Sequence, residues 1–328
     1  IEQSAFDNWK KLRLQRLEMI DKTPEGQIFR AFRETLYGGD PRFCEMTPEL
    51  VNKASLGEGQ QWFDRIAKNS SIEAAVVGDI SLADAMKLVT TYLGSLPQRS
   101  KGEAGLESLR KIKRGSGPFT NNVKFESITD KAMVIAGYLG CEERNTLDRR
   151  LLSMAARILS DRMIKRLRED EQLVYGIGCQ SQPARAVPGT GMIFAAAPTD
   201  PKNSEKLAGM ILSMMKELAE KGATAEELDI AKKQIFNELD KSIKEPEFWI
   251  NQIGDMKYRG KPLAELKDLP GVFETFTGKQ VQDAAKKYMT PESALSITVV
   301  PKETKAASAE KPAKKKKGKK KAAPAGTH

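Results

Sequence analysis

Two residues stand out for the chemistry that their types permit. Arg168 and Tyr175 lie seven positions apart in Leu167-Arg168-Glu169-Asp170-Glu171-Gln172-Leu173-Val174-Tyr175-Gly176. Arginine presents a planar fork of five N–H donors and no acceptor. A tyrosine hydroxyl can donate to an oxygen that gains negative charge during a reaction. Together they offer donors to acceptor oxygens, one of which could be a developing oxyanion. The same residues also have an ordinary structural reading. An arginine near a helix C-terminus interacts favourably with the helix dipole, and tyrosine is a common strand residue.

What the chain lacks narrows the chemistry. Its single histidine is His328, the last residue. Zinc sites of the HExxH or inverted HxxEH kind need two histidines on one helix, and a serine or cysteine triad needs a histidine base. Neither can be assembled from this sequence, so a metal and a general base must come from elsewhere. Cys44, Cys141 and Cys179 are odd in number, far apart and without CxxC spacing. They read as buried free thiols, not as a disulfide framework or a metal site.

The elements that would position Arg168 and Tyr175 belong to residues 118–301, which read as one complete domain. Residues 123–128 and 132–139 have strand character. A helix over about 146–168 follows, with Leu152, Ala155, Leu159 and Met163 on one face. Residues 173–180 are expected as a strand, and its glycines leave one face flat, which suits the close approach of a helix or a bound backbone. Its hairpin partner is expected at 192–197. Two long helices come next, over about 202–220 and from Thr224, where Thr224-Ala225-Glu226-Glu227 is a capping box. The second is interrupted at Glu245-Pro246. A helix at 279–288 leads into a last strand at 295–300.

Residues 1–97 read as the later part of a similar module: two helices over 1–37, a turn-rich Tyr37-Gly38-Gly39-Asp40-Pro41-Arg42-Phe43 loop, a helix near 60–68, a strand at 72–77 and a helix at 82–93. The strand at 72–77 has no earlier strand to pair with, and a lone strand cannot satisfy its own backbone groups. This part is therefore expected to need residues preceding Ile1. Residues 98–117 form a charged, glycine-punctuated linker. An internal echo joins the two halves: a helix, a polar turn and a Val-Val pair recur at Val76-Val77 and Val299-Val300, 223 positions apart.

The net charge of +10 is concentrated in the tail, where Lys302 to His328 hold ten lysines against two glutamates, or +8. The rest carries about +2 and is hardly basic. The tail is read as disordered, contacting anionic surfaces weakly, with no specific nucleic-acid partner. No apolar run approaches the length of a membrane span. The chain begins with Ile1 and shows no signal-peptide pattern, as expected of a processed or partial chain.

The stretch from Leu167 to Tyr175 resembles the helix-to-strand signature in the C-terminal half of the insulinase (pitrilysin) family of zinc metallopeptidases, roughly Leu-Arg-Glu-Glu-x-x-Leu-Ala/Val-Tyr. The loop from Tyr37 to Phe43 is similar to one found in the longer bacterial members. The resemblance implies an α+β fold, a mostly antiparallel sheet with helices packed on it, repeated through the protein. It implies that this chain is the non-zinc-binding half of a peptidase that closes around unfolded peptides. Zinc is then the cofactor of the intact enzyme and is not bound by this chain. The HxxEH motif lies in an N-terminal half or a partner subunit. By the same resemblance, Arg168 binds a substrate carbonyl and Tyr175 steadies the tetrahedral intermediate. The implied location is the bacterial periplasm or another exported setting, with the cytoplasm as the alternative. The competing reading is a catalytically inactive structural or assembly subunit of the same fold.

Overall fold

Along residues 132–139 and 192–199, apolar side chains point to both sides of the backbone, and the computed structural model shows that both sides are covered. The structure describes residues 1–99, 106–267 and 269–302. The chain runs through α1 (Gln3–Lys22), α2 (Pro24–Leu36), α3 (Pro48–Lys53), α4 (Leu56–Asn69) and α5 (Leu82–Tyr92). It continues through β1 (Phe119–Phe125), β2 (Ala132–Leu139), α6 (Thr146–Met163), β3 (Cys179–Gln182) and β4 (Met192–Thr199). Next come α7 (Ser204–Lys221), α8 (Ala225–Ser242), α9 (Pro246–Ile253), α10 (Met256–Arg259), α11 (Leu269–Glu274), α12 (Gly278–Tyr288) and β5 (Ala294–Pro301).

The five strands form one sheet in the order β1-β5-β2-β4-β3. Only β1 and β5 run parallel; the other neighbours are antiparallel. The two-residue period of a strand sends alternate side chains to opposite faces. Val134, Ala136 and Tyr138 of β2, with Ile193, Ala195 and Ala197 of β4, enter a core shared with α6, α7 and α12. Ile135, Phe194, Leu295, Ile297 and Val299 point the other way and meet Ile28, Ala31 and Leu36 of α2. This is the α+β arrangement expected: a mostly antiparallel sheet with helices on it. That α2 lies across the back of this sheet was not legible in the sequence, which assigns it to the preceding module.

Local chemistry sets the helix starts. Thr23 caps α2, with Pro24 in its first turn, and Thr47 and Pro48 do the same for α3. The capping box at Thr224 and Glu227 forms in both directions. The expected strand at 72–77 does not form, because no strand lies beside it among the described residues. Helices α4 and α5, which flank it, bury no residue; Trp62, Phe63, Leu82 and Met86 are exposed. The lysine-rich tail from residue 303 onward lies outside the described residues, as do residues 100–105 of the expected linker.

The rest of that linker is clasped by the loop from Tyr37 to Phe43. Arg42 donates to the carbonyls of Leu109 and Lys111, the latter at 2.9 Å, while Asp40 holds the arginine from behind. Asp40's carboxyl is drawn down to about 2 by these hydrogen bonds. Tyr37 and Phe43 stack with ring centroids 4.0 Å apart. Arg114 ties the linker to both sides, donating to Leu36 O and Gly189 O, each at 2.7 Å.

Candidate functional site

The helix that carries Arg168 does not end as an ordinary α-helix. After Met163 the chain widens into a π turn, Ile164–Asp170. Such turns are uncommon and recur at functional sites. The wide turn sends Leu167 into the core, fully buried, and leaves Arg168 on the outside. Glu171 N donates to Arg166 O at 3.0 Å and Leu173 N to Leu167 O at 2.9 Å, closing the turn. The reversal falls on Gln172, which adopts φ 51°, a left-handed conformation uncommon for a residue with a side chain. The sequence prepares for Arg168's position but carries no recognisable signal for the π turn.

Past Gln172, the chain was expected to form a strand from 173 to 180. The ladder instead begins at Cys179, paired with Ala195. Gly178 and Ile177, which in register would face Ala196 and Ala197, are already outside it. Leu173 and Val174 are both buried, so the alternation expected for a strand is broken there. Thr199 Oγ donates to Leu173 O at 2.8 Å and pins the start of the segment. At its far end, Cys179 N donates to Ser160 Oγ at 2.9 Å.

Arg168 and Tyr175 line one open cavity of about 560 Å3, together with Lys131, Gln172, Leu173 and Val174 on one side and Pro198, Thr199 and Asp200 on the other. Tyr175 is 87% exposed, far more than a packed strand tyrosine. Among the described residues, no hydrogen bond or ion pair engages the Arg168 guanidinium or the Tyr175 hydroxyl. Two of the three carboxylates of the loop, Asp170 and Glu171, are already occupied. Arg166 reaches Glu171 at 3.1 Å and Asp170 at 3.8 Å, and Lys206 reaches Glu171 at 2.7 Å. The hydrogen bond from Lys206 holds the Glu171 carboxyl below the usual glutamate range. Arg168 therefore keeps a free fork of donors beside an acidic loop.

Lys131 and Asp200 were not foreseen. They adjoin the pair Ala132↔Thr199, where β2 and β4 begin and end, so the register of two strands brings them together. Lys131 Nζ lies 3.0 Å from Asp200 Oδ1 and 5.8 Å from the centre of the Tyr175 ring. The hydrogen bond to Asp200 holds the ammonium above the usual lysine range. No local motif marks this contact, since it arises from strand pairing.

The donor set does not fit zinc. Among the described residues, no group of three histidine, cysteine, aspartate or glutamate side chains is placed to hold a metal ion. Cys141 and Cys179 are buried and free. Burial pushes the Cys141 thiol up to about 11 and moves that of Cys179 upward as well. Both are protonated near neutrality, and a thiol must deprotonate to bind zinc. Cys44, also free, is half-buried.

Comparison with known proteins adds a family to this geometry. A family model described as the peptidase M16 inactive domain matches residues 54–235. No curated protein sequence matches the chain. Among solved structures, a peptidase M16 inactive domain from Pseudomonas fluorescens shares 21% identity at a TM-score of 0.76, covering 92% of this chain and 71% of that one. A protease from Helicobacter pylori shares 16% identity at a TM-score of 0.79, covering 92% and 73%. The periplasmic protease PqqL from Escherichia coli shares 18% at a TM-score of 0.75; the match covers 92% of this chain but 33% of that larger one.

Proposed function

Because this chain belongs to the peptidase M16 inactive-domain family, we propose that it is the substrate-binding half of a zinc metalloendopeptidase that cleaves unfolded peptides. The family assignment agrees with the insulinase resemblance read from the sequence. It makes the chain a peptidase-associated domain that is not itself catalytic. Zinc and the general base are supplied by an HxxEH-bearing N-terminal half or partner subunit.

The observation that carries the reading is a shared cleft in which Arg168 and Tyr175 have no partner for their donors among the described residues. Arg168 offers its fork to a substrate carbonyl, fixing the peptide's position. Tyr175 offers its hydroxyl to the oxygen that becomes negative as the peptide bond is attacked. Donors aimed in advance at developing charge are the largest single contribution in many hydrolases. An unfolded peptide suits the site because both contacts are to backbone atoms. Export to the periplasm is proposed on the likeness to a periplasmic protease, and cell fractionation tests it.

The experiment is to combine this chain with its HxxEH-bearing half and follow cleavage of an unfolded peptide. Arg168→Ala and Tyr175→Phe are each expected to lower turnover about a hundredfold, the usual cost of losing one such donor. Unchanged cleavage in both variants removes these roles. Should no HxxEH partner exist, the chain is an assembly subunit of the same fold.

A further inference from the structure

Leu173 is held by both of its backbone polar groups. Its N–H donates to Leu167 O at 2.9 Å, which ties it to the wide turn that carries Arg168. Its carbonyl accepts from the Thr199 hydroxyl at 2.8 Å, which ties it to the sheet. Tyr175 stands two residues further on, and the side chains of Leu173 and Val174 are buried on the way to it. The chain therefore reaches Tyr175 from a fixed point.

Thr199 is itself buried, at the end of β4, where it pairs with Ala132 of β2. A valine of nearly the same shape would pack there without a polar atom, and a buried hydroxyl costs free energy unless it is bonded. Its bond goes to a carbonyl outside the ladder, because β3 begins only at Cys179. The next residue, Asp200, holds Lys131 at 3.0 Å, and that ammonium lies 5.8 Å from the centre of the Tyr175 ring. Thr199 and Asp200 thus restrain Tyr175 from two directions, one through the backbone and one through the ring. The single O–H proton of Thr199 is already engaged, so it has none to give a ligand.

We infer that Thr199 is a positioning residue, whose hydroxyl sets where Tyr175 stands in the cleft by holding the Leu173 carbonyl. The inference rests on the proposal that Tyr175 serves peptide cleavage here, and it names what holds that donor in place. Without the hydroxyl, the Leu173 carbonyl has no donor from the sheet and the segment leading to Tyr175 is free to shift.

The test uses the reconstituted peptidase, with kcat and KM measured on one unfolded peptide. Thr199→Val is expected to lower kcat/KM about tenfold, most of it in kcat, because a displaced donor loses its transition-state contact. Thr199→Ser, which keeps the hydroxyl, is expected to stay within about threefold of the parent. A merely structural role would slow the enzyme in any background. In the Tyr175→Phe background, Thr199→Val is expected to cost less than about twofold more, since the donor it positions is already gone. A second readout needs only this chain, labelled with fluorotyrosine. The fluorine resonance assigned to Tyr175 through Tyr175→Phe is expected to shift in Thr199→Val and to return in Thr199→Ser, while those of the other tyrosines hold still. The inference is overturned if Tyr175→Phe slows cleavage and Thr199→Val does not, if Thr199→Val costs the same factor in both backgrounds, or if the Tyr175 resonance stays in place. If Tyr175→Phe itself cleaves unchanged, the role of Tyr175 falls, and this inference falls with it. Should Thr199→Val fail to fold, Thr199→Cys takes its place, with a thiol that is only a weak donor.

Discussion

The Lys131 ammonium rests 5.8 Å from the centre of the Tyr175 ring while Asp200 holds it from the other side at 3.0 Å. Among the described residues, this is the ring contact made by an otherwise exposed tyrosine. The face of a tyrosine ring attracts a cation held over it. Lys131→Met is therefore expected to lower turnover of the reconstituted peptidase about two- to fivefold, with KM little changed, while Lys131→Arg retains most of it. A rise in KM without a fall in kcat would show that Lys131 touches substrate directly.

A second pair couples the helices behind the site. Arg162 binds Glu227 side by side, at 2.6 and 2.8 Å, joining α6 to the start of α8. The Arg162 hydrogen bond draws the Glu227 carboxyl from 4.5 down to about 2. A carboxyl with a depressed folded-state value stabilises the fold above its unfolded value and loses that contribution as pH falls toward the folded one. Stability is therefore expected to drop between about pH 4.5 and 2. Glu227→Gln should cost about 1–3 kcal/mol at neutral pH and flatten this part of the profile. Urea unfolding across that range measures it.

Gln172 turns the chain with a positive φ. Asparagine tolerates that region better than glutamine, and β-branched residues tolerate it poorly. Thermal melts should show Gln172→Asn equal to or above the parent and Gln172→Val lower by about 1–2 kcal/mol. If valine proves neutral, the turn is not a constraint on the site.

The clasp between Arg42 and the linker yields a prediction about access. Arg42→Ala removes both carbonyl contacts to Leu109 and Lys111. Trypsin should then cut at Lys111 and Lys113 several-fold faster, with global stability little changed, because these contacts are exposed. Gly38 sits with φ 64° and its Cβ would fall 2.2 Å from Lys113 O. Gly38→Ala should therefore loosen the same segment by pushing the linker away.

Much of the module was legible because its signals are local. Thr23-Pro24, Thr47-Pro48 and the Thr224–Glu227 box start helices where their side chains cap them. The apolar runs of β2 and β4 announce strands buried on both faces. The arginine and tyrosine were found through the resemblance of Leu167–Tyr175 to the insulinase-family signature, and their residue types permit the chemistry. Lys131 was not, because only the pairing of Ala132 with Thr199 brings it to the cleft. The late start of β3 goes with the consecutive burial of Leu173 and Val174, which residue type alone does not announce. The packing of α2 on the sheet depends on which face of which element is left open, and that is decided in three dimensions.

The position of β5 bears on how the polypeptide acquires its shape during synthesis. This segment is made after every other strand, yet it fits between β1 and β2, pairing Val123 with Val299 on one side and Ile135 with Ile297 on the other. Until residues 294–301 leave the ribosome, β1 has no neighbour to hydrogen-bond and β2 has an open flank. The sheet is completed in one late step of high contact order. Before that step, the nascent chain presents sticky, unfinished segments of the kind that chaperones capture.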